Sequence, residues 1–256
     1  MDLGLQGKVA VVTGGSRGLG RAAAFSLAQE GASVYLCARG AETLSQTIAD
    51  MSASGLKAAG TAADVATADG CERVVRGARD AFGGVDILLN NVGGGQGPSA
   101  IGASDDDWQQ SLELTLFPAV RMSRLCVPLM KERRGGVILM IASIYGRESG
   151  GRATYNAVKA AEISLAKSMA RELAPENIRV NSVAPGSILF PGGSWERRQQ
   201  ADPVAIQKMI EDDLPFGRFG APNEVCEVVA FLASPRASLI SGASITVDGC
   251  LSRSLI

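Results

Sequence analysis

Lys8 to Gly20 reads KVAVVTGGSRGLG, and the nine residues after it, Arg21 to Gln29, read RAAAFSLAQ. The first six form a short apolar run of strand character, and the last nine carry a helical pattern. Between them stand Gly14, Gly18 and Gly20, with Ser16, Arg17 and Leu19 interleaved. In a strand–turn–helix unit each glycine has a physical task. Gly14 lets the chain turn, Gly18 lets a pyrophosphate approach the backbone, and Gly20 lets the helix pack closely on the strand. The helix N-terminus then offers unpaired N–H groups to phosphates. At the first such unit of a chain this spacing points to a bound dinucleotide.

Outward from this unit the alternation repeats. Strands are expected at Ser33–Ala38, Ala58–Ala62, Val85–Asn90, Val137–Ser143, Ile178–Ala184 and Ala243–Val247. Helices are expected at Ala41–Ala53, Ala68–Phe82, Trp108–Lys131 and Thr154–Ala174. The strands are continuous apolar runs, so both faces of the sheet are covered. Repeated strand–helix alternation implies an α/β fold: a doubly wound parallel sheet with right-handed crossovers. No linker or internal repeat divides the chain, so residues 1–256 read as one domain. The stretch 187–215 opens without helix or strand signals and reads as a small substrate lobe or lid.

The second strand bears on which dinucleotide is held. An NAD site places an acid at its end for the ribose 2′-OH. Here the strand ends Cys37-Ala38-Arg39-Gly40, and the first acid afterwards is Glu42. Arg39 and Arg17 are placed to grip a 2′-phosphate, so the expected cofactor is NADP(H). The alternative is a pair of solvated surface arginines. Asp64 and Val65, closing the third strand, are candidates for the adenine.

Composition excludes other chemistry. The 256 residues hold 25 basic and 26 acidic side chains and no histidine. Ser-His-Asp and Cys-His catalysis are therefore impossible, as is any His-based zinc site, and no metal is expected. A near-neutral balance with no basic block argues against nucleic acid and membrane surfaces as partners. The five cysteines lie far apart with no CxxC pair, which fits reduced thiols in a cytoplasmic protein. No apolar run approaches a membrane span, and the N-terminus has no signal-peptide pattern.

Tyr155 and Lys159 stand four residues apart at the start of a helical pattern, which puts phenol and ammonium on one face. A neighbouring ammonium and a positively charged nicotinamide both favour the phenolate, making Tyr155 a credible general acid or base. Ser143, at the C-terminal end of the fifth strand, sits where open α/β sheets place ligand contacts.

In combination these motifs are more specific. The glycine turn, Asn90-Asn91-Val92-Gly93 after the fourth strand, Ser143 twelve residues before Tyr155-x-x-x-Lys159, and Pro185-Gly186 after the sixth strand follow in order. This order resembles the short-chain dehydrogenase/reductase family over essentially the whole chain. The C-terminal GRFGAPNEV…FLASPRASLISGASITVDG is similar to the tails of its bacterial 3-oxoacyl-reductase-like members. The resemblance implies a single Rossmann-type domain with seven parallel strands, usually a homotetramer, in which Lys159 holds the nicotinamide ribose. It implies a reversible reduction of a ketone or aldehyde with Ser143, Tyr155 and Lys159 as catalytic residues. Asn90 falls in the motif that supports the sheet, and Asn91 is counted with the cofactor contacts.

Two positions depart from the family pattern. An asparagine that holds a proton-relaying water is replaced by Thr115, which is retained in the catalytic set. A threonine that bonds the nicotinamide carboxamide is replaced by Phe190, leaving the backbone of Ile188, with Pro185 and Gly186, for that task. Phe190 itself is expected to face the substrate pocket or lid. Pocket candidates (Gly93 to Gln96, Ile144, Tyr145, Gly186, Leu189 to Trp195) suit a neutral small-molecule carbonyl or alcohol. Carrier-linked substrates are weakened by Val127, although Arg171 fits one of the two basic docking positions. The alternatives are an NAD-linked sugar or polyol dehydrogenase and a non-catalytic dinucleotide sensor.

Overall fold

The computed structural model describes residues 2–255. Seven parallel strands form one sheet in the order β3-β2-β1-β4-β5-β6-β7. They are β1 (Val9–Thr13), β2 (Ser33–Ala38), β3 (Ala58–Ala62), β4 (Ile87–Asn90), β5 (Gly136–Ile141), β6 (Ile178–Pro185) and β7 (Ser244–Val247). The helices are α1 (Gly18–Gln29), α2 (Ala41–Ala53), α3 (Ala68–Phe82), α4 (Asp105–Glu132), α5 (Ala153–Leu173), α6 (Ser194–Ala201), α7 (Pro203–Asp213) and α8 (Pro222–Ala233).

Strand side chains alternate between two cores, and both are apolar. Ala10, Val12, Ile87, Leu89, Leu139 and Ile141 pack with α1, α2 and α8 on one face. Val11, Leu88, Ile138 and Met140 pack with α3, α4 and α5 on the other. That double burial is why the strands read as unbroken apolar runs rather than alternations. Each fully buried Leu or Ile contributes roughly 1.5–3 kcal/mol.

Four expected elements coincide with the structure: β2, β3, α2 and α3. β5 ends at Ile141, two residues before its expected end at Ser143. The reason is local: the Ser143 hydroxyl accepts from the Tyr145 N–H (3.2 Å) and starts a single 3-10 turn, Ile144–Gly146, which draws the chain off the ladder. α4 starts earlier than its pattern suggested because Ser104 and Asp107 form a reciprocal capping box ahead of Trp108.

Candidate active site

The strand order reverses between β1 and β4, and the carboxyl ends of these strands open the crevice where such sheets bind ligands. The two chain exits are tied together. Asn91 Nδ2 donates to the Thr13 and Gly14 carbonyl oxygens (3.0 and 3.3 Å). The Thr13 hydroxyl accepts from the N–H groups of Asn91 and Val92 (2.9 and 3.3 Å). The Asn91 amide is thus committed to the turn.

A Cβ on Gly20 would lie 2.3 Å from the Gly14 carbonyl oxygen and 2.6 Å from Asn91 Nδ2, so α1 seats directly on the turn. Gly18, at φ +56°, faces the Phe190 ring, which a Cβ there would meet at 2.7 Å. The Phe190 ring therefore lies between the glycine turn and Gly193 of the lobe: it faces the lid, and it also covers the turn, which its sequence did not show. A flat ring fits a surface that has no side chain. Arg17, the residue before α1, supplies no side-chain cap, in contrast to Thr67 before α3 and Ser104 before α4. The first-turn N–H groups of α1 stay open to an anion.

Beside this turn β2 ends at Ala38, followed by the exposed Arg39. Neither Arg39 nor the exposed Arg17 takes part in an ion pair among the described residues. The Thr47 hydroxyl donates to the Ser16 carbonyl oxygen (3.2 Å) and holds the turn against α2. Asp64, half-buried beyond β3, accepts from the Ala66 N–H (3.0 Å). Val65 is buried, and its carbonyl oxygen accepts from Cys71 Sγ (3.1 Å). A helix terminus without a side-chain cap and two guanidinium groups free of ion pairs among the described residues fit a nicotinamide dinucleotide.

The loop after β4 brings the reactive side chains together. A Cβ on Gly95 would meet Tyr155 Cβ at 2.6 Å, and one on Gly93 would meet Lys159 Nζ at 2.8 Å and Thr115 Cγ2 at 3.2 Å. Only the absence of side chains at these glycines lets the loop lie on Tyr155, Lys159 and Thr115. Lys159 Nζ stands 5.8 Å from the Tyr155 ring centroid. It donates to the Ile141 carbonyl oxygen (2.7 Å) and to Glu162 Oε2 (2.8 Å). Ser143 is buried two residues past Ile141.

The Thr115 hydroxyl donates to the Gly94 carbonyl oxygen and accepts from the Gly94 N–H. Its one proton is committed, so it has none to give a relaying water, and the side chain clamps the loop instead.

Glu162 was not among the residues singled out from the sequence. It is fully buried, and burial pushes its carboxyl up to about 6 against the pull of the Lys159 ammonium. Burial alone would lower Lys159; the Glu162 carboxylate, followed by Tyr155, outweighs it and the net direction is up. The available signal was an acid three residues after Lys159, a spacing that returns to the same helix face.

Beyond β6 the Gly186 N–H donates to the Val247 carbonyl oxygen (3.0 Å), and a Cβ on Gly186 would crowd Asp248. Ile188 sits in a bridge with Gly220 that uses the peptide groups of Ser187 and Leu189. The N–H and C=O of Ile188 have no partner among the described residues. α6 and α7 follow, and the Trp195 ring packs on Phe219 (5.2 Å between centroids). This lobe core includes Ile206, Leu214, Phe219 and Leu251, so it draws on residues past position 215. Arg198 lies over Trp195, 4.8 Å from the ring centroid. One concavity of about 340 Å³ lies within the lobe, and another of about 550 Å³ lies between Tyr145, Glu148 and Asn156. Neither is lined by Tyr155.

A doubly wound parallel sheet with a glycine turn at its switch point is the class of fold that binds dinucleotides. A family model described as short chain dehydrogenase matches residues 8–201, and the chain belongs to that family. It is 38% identical to a 3-oxoacyl-[acyl-carrier-protein] reductase of Vibrio cholerae, covering 96% of this chain and 98% of that one. It is 36% identical to a tropinone reductase homolog of Arabidopsis thaliana, covering 96% and 90%. The L-sorbose reductase of Gluconobacter frateurii, solved with NADPH and L-sorbose, superposes with a TM-score of 0.93 at 37% identity over the full length of both chains. Among the described residues no helix is long and apolar enough to cross a membrane.

Proposed function

We propose that this oxidoreductase reduces a neutral ketone or aldehyde to an alcohol, reversibly, with NADP(H). The observation that carries the reading is the pairing of Tyr155 with a buried, charged Lys159 under the Gly93–Gly95 loop, beside an uncapped glycine turn. When bound, the nicotinamide supplies or takes the hydride. Tyr155 donates its phenolic proton to the carbonyl oxygen during reduction and takes it back during oxidation. The Ser143 hydroxyl already accepts from the Tyr145 N–H, which leaves its proton for a hydrogen bond to that same oxygen. Lys159 stabilises the negative charge that develops on Tyr155 and reaches the nicotinamide ribose. Ile188 offers its unused backbone groups to the carboxamide.

Gly14, Gly18 and Gly20, with the N–H groups of Ser16, Arg17 and Leu19, hold the pyrophosphate. Arg17 and Arg39 hold the 2′-phosphate, Asp64 and Val65 border the adenine, and Pro185 and Gly186 shape the nicotinamide side. The lobe at 187–215, completed by Phe219 and Leu251, covers the substrate. The exposed small residues Ala157, Ala160 and Ser164 on α5 support pairing of this helix across a two-fold axis in a homotetramer. Five free cysteines, four of them buried, support a reducing cytoplasmic setting.

The test is turnover on a panel of ketones and aldehydes with NADPH and NADH. Turnover with NADPH that Tyr155→Phe abolishes supports the reading. Full turnover by Tyr155→Phe sinks it.

A further inference from the structure

We infer that Glu162 is a positioning residue for this reaction, holding the Lys159 ammonium charged and aimed within a site closed to solvent. The inference rests on the reading of Tyr155 and Lys159 given above. Lys159 and Glu162 are both essentially inaccessible, at 3% and 0% exposure. Burying a carboxylate costs several kcal/mol, and an apolar side chain at position 162 would pack at no such cost. Among the described residues the one ion pair that Glu162 makes is with Lys159.

The donors of Lys159 show what this achieves. An ammonium has three N–H bonds. One goes to the Ile141 carbonyl oxygen and one to Glu162 Oε2. These two anchors, on β5 and on α5, leave the third donor without a partner among the described residues, beside Gly93 and the Tyr155 ring. Without the carboxylate, a buried ammonium anchored by a single carbonyl would lose both its aim and its affinity for the proton. Among the described residues Glu162 Oε1 has no hydrogen-bond partner, so there the carboxylate is held by Lys159 alone.

Other charged groups around α5 are turned elsewhere. β5 has no titratable side chain. On β6, Arg179 donates to the Ser234 and Ile240 carbonyl oxygens. On α4, Arg121 donates to the Ala66 carbonyl oxygen, Asp107 caps the helix, and the remaining charged residues are exposed. On the 3-10 turn, the Tyr145 ring lies against Gly150 and Gly151. Lys159 is the charged group that Glu162 faces.

The experiment compares pH profiles of kcat for NADPH-dependent ketone reduction by the full chain and by Glu162→Gln, Glu162→Asp and Tyr155→Phe. In the parent, activity falls as pH drops through about 6, where Glu162 takes a proton and releases Lys159. In Glu162→Gln that acid limb disappears, and the alkaline limb moves down by a unit or more as the unpaired ammonium gives up its proton. Its kcat falls roughly tenfold or more while KM for the ketone holds. Glu162→Asp, which keeps the charge, restores both limbs at reduced kcat. If Glu162→Gln does not fold, Glu162→Asp carries the test: parental kcat there overturns the inference. Parental limbs in Glu162→Gln overturn it as well. With Tyr155→Phe inactive, either result removes the role of Glu162 alone; an active Tyr155→Phe removes the reading of the whole site.

Discussion

The Thr115 hydroxyl donates to the Gly94 carbonyl oxygen at 2.8 Å and accepts from the Gly94 N–H at 2.9 Å, closing both peptide groups of one loop residue. Thr115 is fully buried and Gly94 half-buried, so water would replace the lost hydroxyl only in part. Thr115→Val keeps the shape and removes both bonds. It should cost about 1–3 kcal/mol in stability, the penalty for buried groups left unpaired. Because Gly93 and Gly95 lie on Lys159 and Tyr155, kcat should fall as well. Denaturant melts and steady-state kinetics measure the two effects. Parental values for both would show that the loop is held by other contacts.

The glycine turn gives a sharper steric prediction. A methyl at Gly20 would collide with the Gly14 carbonyl oxygen and with Asn91 Nδ2, neither of which is the free end of a flexible chain. Gly20→Ala should therefore push α1 away from the turn and break the Asn91 bonds that join β1 to β4. Dinucleotide binding, followed by fluorescence titration, should weaken at least tenfold, with a lower Tm. Unchanged affinity would mean that the turn does not contact the cofactor.

These two sites mark what the sequence disclosed and what it hid. Gly14, Gly18 and Gly20 announce a strand–turn–helix because their spacing follows from local geometry. The strands β2 and β3 were delimited to the residue because polar or glycine-containing stretches bound each apolar run. α8 is not legible in the sequence: its apolar residues follow a long irregular segment, and its entry at Pro222 depends on an Arg218–Glu224 ion pair and a cap formed by Glu224. Phe190 reads as facing the pocket or lid, and adjacency in sequence does not reveal that its ring also meets the glycine turn. Glu162 does not stand out in the sequence for a related reason. A lone acid on a helix is normally solvated, and only the fold shows that this one is sealed in beside Lys159.

Arg39 and Arg17 are exposed and free of carboxylate partners among the described residues, so their charges remain for a ligand. Arg39→Ala should weaken NADPH by about 1–3 kcal/mol, the range for a charge-assisted hydrogen bond, and leave NADH nearly unchanged. Titration with both dinucleotides measures the difference. The NADPH deficit should also shrink as salt is raised, because the pair is solvent-exposed. Equal losses for the two dinucleotides would remove the 2′-phosphate from the argument.

Burial of Glu162 makes stability depend on pH in a direction opposite to that of an ordinary surface-paired acid. Its folded value, about 6, lies above the reference value of 4.5. The folded state therefore binds this proton more tightly than the unfolded state does. The stabilisation is complete below 4.5 and is lost as pH rises through about 6. A shift of this size corresponds to about 2 kcal/mol. Lys159, raised by Glu162 and Tyr155 over the opposing effect of burial, acts at the other end. Its contribution holds below the ordinary lysine value and is lost only as pH climbs above it. Denaturant unfolding of the parent from pH 4.5 to 7 should show a decline of that order from this site, superimposed on the titration of the other acids. Subtracting the Glu162→Gln curve isolates it, since glutamine keeps the size and has no proton to lose. A difference between the two curves that is flat across this window, or that slopes the other way, would show that Glu162 is ionised in the fold at no cost.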